Sequence, residues 1–160
     1  RDNRCFVIRS EHGTEIQSLE EAAQHGDHLL TFSQHVVAYA EAALTKLPNW
    51  RNLRYVRGCS GFTGFGKGTL TPAALNEFSR NMRDLIGAKW DKWGSEQVSS
   101  NLLAASTPDC YLLPHPKYCN ADGLTDETVV AHFIGYTRYV SRTYERLARQ
   151  AAQHLREATR

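Results

Sequence analysis

Apolar positions along the chain switch between the two-residue rhythm of strands and the three-to-four-residue rhythm of helices. Cys5-Phe6-Val7-Ile8 is a short apolar run and predicts a strand. From Ile16 to Leu47 the chain is more polar, with Leu29, Phe32, Val36, Tyr39, Ala40 and Ala43 at helical spacing, and Pro48-Asn49 ends that pattern. Leu53 to Arg57 predicts a second strand, entering a glycine-dense segment from Gly58 to Gly68. Thr71-Pro72 is an N-cap followed by proline at the first helical position. Leu75, Phe78, Met82, Leu85 and Ile86 then form one apolar stripe, closed by Gly87. Ser95 is expected to cap a further helix carrying Val98, Leu102 and Ala105. Past Pro108-Asp109, Cys110 to Leu113 predicts a short strand leading to Pro114-His115-Pro116. Thr128 to Ile134 predicts a buried strand that Gly135 ends. A helix from about Arg138 is expected to turn Val140, Tyr144, Leu147, Ala151 and Leu155 inward. Strands alternating with helices predict an α/β class, a mixed sheet flanked by helices.

The chain has 160 residues, the size of one domain, and at that length roughly 70% of the unfolded surface can be buried. Apolar residues make up 41% and charged residues 22%, which excludes disordered, collagenous and coiled-coil classes. No apolar run approaches the roughly 18 residues of a membrane helix, so no membrane span is expected. The single methionine is Met82, and Arg1 stands one step before a strand with no signal-like segment. The expectation is a piece of a longer chain.

A net charge of +2 does not by itself point to nucleic acid, and none is expected as a partner. The charge is uneven: residues 1–48 stand at −3 and the remainder at +5. Arg138 to Arg160 holds six arginines against Glu145 and Glu157. That is either a solvated basic face or a helix whose first turn meets an anion. Cys5, Cys59, Cys110 and Cys119 lie far apart with no Cys-x-x-Cys pair, so reduced, mostly buried thiols and a cytoplasmic location are expected.

Four groups of residues carry candidate chemistry. Gly61-x-x-x-x-Gly66-Lys67 matches the opening of a phosphate-binding loop, but Gly68 stands where Ser or Thr must hold magnesium. The simpler reading is close backbone approach, to a neighbouring strand or to a ligand. His25, His28 and His35 lack a carboxylate or cysteine at matching spacing and read as surface histidines, with His28 and His35 on one helix face. His132 ends an apolar strand, Gly135 makes the turn and Arg138 opens a helix. Free N–H groups, a dipole end and a guanidinium there suit an anion, and His132 suits a metal beside it. A buried strand histidine is the plainer alternative. Glu96, Gln97 and Asn101 occupy the first turns of the helix after Ser95, behind Trp90 and Trp93. Glu96 either satisfies that helix start or faces a ligand, and the tryptophans suit a core, a rim or a sugar platform.

Together these pieces resemble the second half of a GT-A-type nucleotide-diphospho-sugar transferase. His132-x-x-Gly135-x-x-Arg138 resembles the C-terminal His-x-x-Gly-x-x-Lys motif of the family-8 glycosyltransferases. Cys59-Ser60-Gly61-Phe62 resembles their Asn-Ser/Ala-Gly-Val segment, and Glu96 to Asn101 their Asp-Gln-Asp-x-x-Asn segment. Trp93-Gly94-Ser95-Glu96-Gln97 and His132-Phe133-Ile134-Gly135 also resemble bacterial glycosyltransferase-like proteins. Arg138 replaces lysine, Cys59 replaces asparagine and Val98 replaces the second aspartate of that family.

The resemblance implies a metal-assisted glycosyl transfer from a nucleotide-diphosphate sugar to an unspecified acceptor. In its terms His132 would bind Mn²⁺, with Mg²⁺ as the other compatible ion. Arg138 would meet the diphosphate beside Gly135, and Ser60 and Gly61 would wall the donor pocket; Lys67 reads either as a further phosphate contact or as a solvated lysine. Gln97 would face the sugar, Asn101 would lie on the donor side, and Glu96 would be an acceptor-side group or base. The family's Asp-x-Asp motif is missing from these residues, so the chain is expected to be a C-terminal portion without the nucleotide-binding half. A sheet severed that way would expose a strand edge, so a homodimer or aggregation is expected. The alternative is a non-catalytic α/β interaction domain whose basic C-terminal helix docks an acidic partner.

Overall fold

The computed structural model describes residues 4–9, 14–135 and 137–159. Arg1 and Arg160, counted in the charge balance above, lie outside them. Strand β1 (Phe6–Arg9) is the centre of a three-stranded sheet, with β4 (Gly58–Gly64) antiparallel on one side and β5 (Tyr111–Leu112) parallel on the other. Val7 and Ile8 point to opposite faces of this sheet, and each is fully buried in its own apolar cluster, so β1 is covered on both faces. Strand β2 (Ile16–Ser18) pairs antiparallel with β3 (Arg54–Val56), and β6 (Tyr118–Asn120) pairs parallel with β7 (Val130–His132). The class is mixed α/β, but the expected single sheet is three small ones.

The expected helical stretch from Ile16 to Leu47 divides. Ile16 is extended because it pairs opposite Val56. The N–H of Ser18 donates to the Glu21 carboxylate at 2.8 Å, and the Ser18 hydroxyl accepts from the Glu21 N–H at 3.2 Å. That capping box starts α1 (Leu19–Leu30) directly after the strand. His35 then caps α2 (Val36–Ala43), its ring accepting from the Val37 N–H at 3.3 Å. His28 and His35 are thus on separate elements, and neither shares a helix face with the other. Phe32, at helical spacing in the sequence, falls in the break and is exposed.

Helix α3 (Pro72–Ile86) follows its expected cap, with the Thr71 hydroxyl accepting from the Ala74 N–H, and Gly87 ends it at φ +60°. Phe78 and Met82 on its inner face join Val98 and Leu102 of α4 (Ser95–Ala105) in the main core, together with Leu44, Tyr55 and Trp90. Gly94, at φ +109°, takes the capping position of α4 expected of Ser95. A left-handed backbone there favours glycine.

The C-terminal third departs most from expectation. Strand β7 is shorter than the Thr128–Ile134 run and only half-buried. The helix from Arg138 breaks into a single turn, α5 (Thr137–Val140), and α6 (Thr143–Ala158), with Arg142 between them in the left-handed region at φ +53°. No residue of α6 is buried, and Val140, Tyr144 and Leu155 are exposed instead of turned inward. An amphipathic stripe shows which face prefers to be covered and carries no information about what covers it. The three-stranded sheet ends in two edge strands among the described residues. One edge strand, β5, is two residues long and the other, β4, is irregular, and both features discourage pairing between sheets. All four cysteines are free, with Cys5, Cys59 and Cys119 buried and Cys110 half-buried. None of the described helices is long and apolar enough to cross a membrane.

Candidate functional site

Most of the glycine-dense segment is strand, and only residues 65–68 lie beyond it, at a turn. Gly61 and Gly64 lie inside β4, so no phosphate-binding loop forms there, and Lys67 lines a separate hollow of about 360 Å³ with Arg4 and Tyr111. The register between β1 and β4 slips within that strand. Val7 lies opposite Thr63 while Ile8 lies opposite Cys59, which leaves Ser60, Gly61 and Phe62 with no partner residue on β1. The Thr63 hydroxyl donates to the Cys59 carbonyl at 3.0 Å across the base of this bulge. Bulges re-aim the backbone and free its polar groups, a device found beside binding sites.

Residues distant in sequence converge on the bulge. A methyl group at Gly61 would come within 2.5 Å of His132 Nε2, so the imidazole at the end of β7 lies directly over Gly61. Asn120, itself buried, stands opposite His132 in the parallel β6–β7 pairing. At the start of β4, the buried Asn101 donates its amide to the Gly58 carbonyl at 3.1 Å and ties α4 to the strand. Beneath it Tyr55 is fully buried, and burial, then the Glu41 charge, pushes its hydroxyl well above the ordinary phenol range. Glu41 in turn accepts from Arg57 Nε at 3.3 Å. The glycines of this strand therefore serve close approach of two kinds. Gly58 lies against Val7 and the Ile8 carbonyl, and Gly61 lies against a side chain that could meet a ligand.

The remaining expected residues are placed less decisively. Glu96 accepts the Gly94 N–H at 2.9 Å and so satisfies the start of α4. Its charge also reaches the Cys59 thiol, which burial and, to a smaller degree, Glu96 raise above the usual range. Gln97 is half-buried on the same turn. Arg138 is exposed and donates from Nε to the Gly135 carbonyl at 3.1 Å, in a turn where Gly135 adopts φ +50°. A four-residue helix supplies no row of free N–H groups, so the anion site expected at its start reduces to the Arg138 guanidinium. His132 has its pKa pulled down, by burial first and then by the positive Arg138, so its imidazole is neutral at pH 7.

A neutral imidazole can ligate a metal, but hard divalent ions take several oxygen or nitrogen donors. Among the described residues no group of three His, Cys, Asp or Glu side chains comes together as a ligand set. His132 offers one donor, so the described residues do not fit Mn²⁺ or Mg²⁺ by themselves.

Sequence reading missed Tyr118. Its ring stacks on Phe62 of the bulge, centroids 6.4 Å apart, and Phe62 also meets Phe6 at 5.9 Å. Nothing local links residues 62 and 118; the contact exists because β6 lies alongside β1. Trp90 belongs to the core, with its ring N–H on Ser79, whereas Trp93 is exposed against His35. No protein family, curated protein or solved structure matches the chain.

Proposed function

We propose that the chain is the C-terminal part of a GT-A-type nucleotide-diphospho-sugar transferase, and that the β4 bulge with His132 forms part of its donor site. One observation carries this reading: the Ser60-Gly61 segment and His132, each singled out by its own motif, meet in space. The Asn101 tether, from the third motif, holds the same strand.

Glycosyl transfer breaks the bond between the sugar and a diphosphate oxygen, and that oxygen gains negative charge as the bond lengthens. Preorganised donors and cations aimed at that charge lower the barrier. Arg138 is the cation at this site, with guanidinium donors besides Nε left to meet phosphate oxygens. The Ser60 hydroxyl and the Gln97 amide suit hydrogen bonds to sugar hydroxyls, and His132 suits an oxygen of the donor. Glu96 would take the acceptor proton through Oε1, since Oε2 already receives the Gly94 N–H. The free cysteines support a reducing, cytoplasmic setting.

Titration calorimetry with UDP, GDP, ADP and their sugar conjugates, with and without Mn²⁺, tests the reading. Binding of one nucleotide, weakened about tenfold or more by His132→Ala and by Arg138→Ala, is the expected result. Failure of every nucleotide to bind under both conditions overturns it.

A second reading, a non-catalytic interaction domain, is favoured by the exposed arginines of α6, a helix with no buried residue. Reversing Arg142, Arg146 and Arg149 would abolish capture of an acidic partner and leave nucleotide binding unchanged.

A further inference from the structure

Glu96, Ser99, Ser100 and Leu103 of α4 stand at i, i+3, i+4 and i+7 and so share one face of that helix. The face lines a cavity of about 190 Å³, whose other walls are Phe65, just after β4, Leu70, just before α3, and Leu75 in the first turn of α3. Leu75 heads the stripe of α3 that buries Phe78 and Met82 farther along, yet Leu75 itself is exposed, as is Leu70. The stripe opens into the cavity at this end.

Each polar side chain of the α4 wall presents an acceptor. The Ser99 hydroxyl donates to the Ser95 carbonyl at 2.9 Å and the Ser100 hydroxyl to the Gln97 carbonyl at 3.0 Å. Both protons are committed, and both oxygens keep lone pairs. Glu96 takes the Gly94 N–H on Oε2, and among the described residues neither a second donor nor a cation meets its Oε1. An ammonium brings three donors and one positive charge to these three acceptors and one carboxylate. A hydroxyl brings one donor and no charge, and an anion meets repulsion. Size limits the rest of the ligand. An apolar cavity of about 150 Å³ holds a benzene ring, so this one admits a single ring with a short arm.

We infer that this cavity binds a small primary amine. Its ammonium sits on Glu96 Oε1 beside the Ser99 and Ser100 hydroxyls, and its apolar body lies among Leu103, Phe65, Leu70 and Leu75. Glu96 is exposed, so water screens part of the attraction and the apolar walls supply much of the affinity. Binding of the amine does not depend on the transferase reading. Under that reading the amine occupies the oxygen assigned to the acceptor proton and competes with the acceptor.

Amide NMR titration with benzylammonium chloride up to about 20 mM tests the inference, with benzyl alcohol and benzoate as the neutral and anionic comparisons. Shifts centred on residues 96–103 and a dissociation constant on the order of 1 mM are expected, the scale for a ligand of about eight heavy atoms in an open cavity. Benzyl alcohol should bind about threefold more weakly, as fits an exposed charge pair, and benzoate should not bind there. Glu96→Gln keeps an acceptor for the Gly94 N–H and so the start of α4, and it should erase the preference for the ammonium. Leu75→Ala, at an exposed helical position, should weaken benzylammonium and benzyl alcohol alike, about threefold. Amides 96–103 that stay unmoved at the highest concentration overturn the inference. So does benzyl alcohol or benzoate that binds as tightly as the ammonium, or a Glu96→Gln variant that keeps the full preference. Nucleotide binding, measured as above, decides the transferase reading whichever of these occurs.

Discussion

Gly61 and His132 are in van der Waals conflict with any side chain larger than hydrogen: a Cβ at Gly61 would sit 2.5 Å from His132 Nε2. The absence of a side chain in one motif thus makes room for the imidazole of the other. Gly61→Ala should swing the His132 ring away at a cost of about 1 kcal/mol, the scale of an off-rotamer side chain. The readout is the ring's NMR titration, which should move up as burial is lost, together with weaker nucleotide binding. Gly58→Ala is the contrast. Its Cβ would meet the Ile8 carbonyl at 2.9 Å and the Val7 side chain, neither of which can swing clear. That variant should lose about 1–3 kcal/mol in urea unfolding.

His132 is held neutral by burial and by Arg138, so its folded pKa lies below the ordinary 6.5. The unfolded chain therefore binds the proton more readily than the folded one. Stability from this group is fully present above about pH 6.5 and falls away as pH drops through the folded value. Arg138→Ala should raise the His132 pKa part of the way back toward 6.5, because burial, the larger cause, remains. An NMR titration that leaves His132 unmoved in this variant would show that Arg138 does not act on the imidazole.

Asn101 holds the strand that carries the bulge. Asn101→Ala removes the amide that meets the Gly58 carbonyl and leaves that buried acceptor without it, which should cost about 1–3 kcal/mol of unfolding free energy. Asn101→Asp should cost more, since it sets a carboxylate against a carbonyl oxygen in a buried site.

Glu41 is almost completely buried and its partner Arg57 mostly so. Glu41→Ala leaves the guanidinium without that carboxylate and should destabilise by about 3 kcal/mol. It also removes a negative charge that pushes the Tyr55 hydroxyl upward, so the phenol titration should move down. A spectrophotometric titration unchanged in its Tyr55 component would contradict this placement.

The sequence alone determined the elements whose signals are local. Thr71-Pro72 marks a helix start by its own cap chemistry, and the stripe from Leu75 to Ile86 buries Phe78 and Met82 as its spacing requires. The α/β class follows in the same way from alternating rhythms. Candidate residues Ser60, Gly61, Asn101 and His132 could be picked out because each motif is short and contiguous. Whether they meet could not be read, because the bulge in β4 depends on its register with β1 and the position of His132 depends on β6 and β7 pairing. Register is a relation between distant segments, and no local pattern encodes it. The division of residues 16–47 and the unburied stripe of α6 are of the same kind. A capping side chain competes with helical spacing inside the first, and only a tertiary partner decides which way the second faces. Propensity and periodicity are properties of neighbours along the chain, whereas burial belongs to neighbours in space.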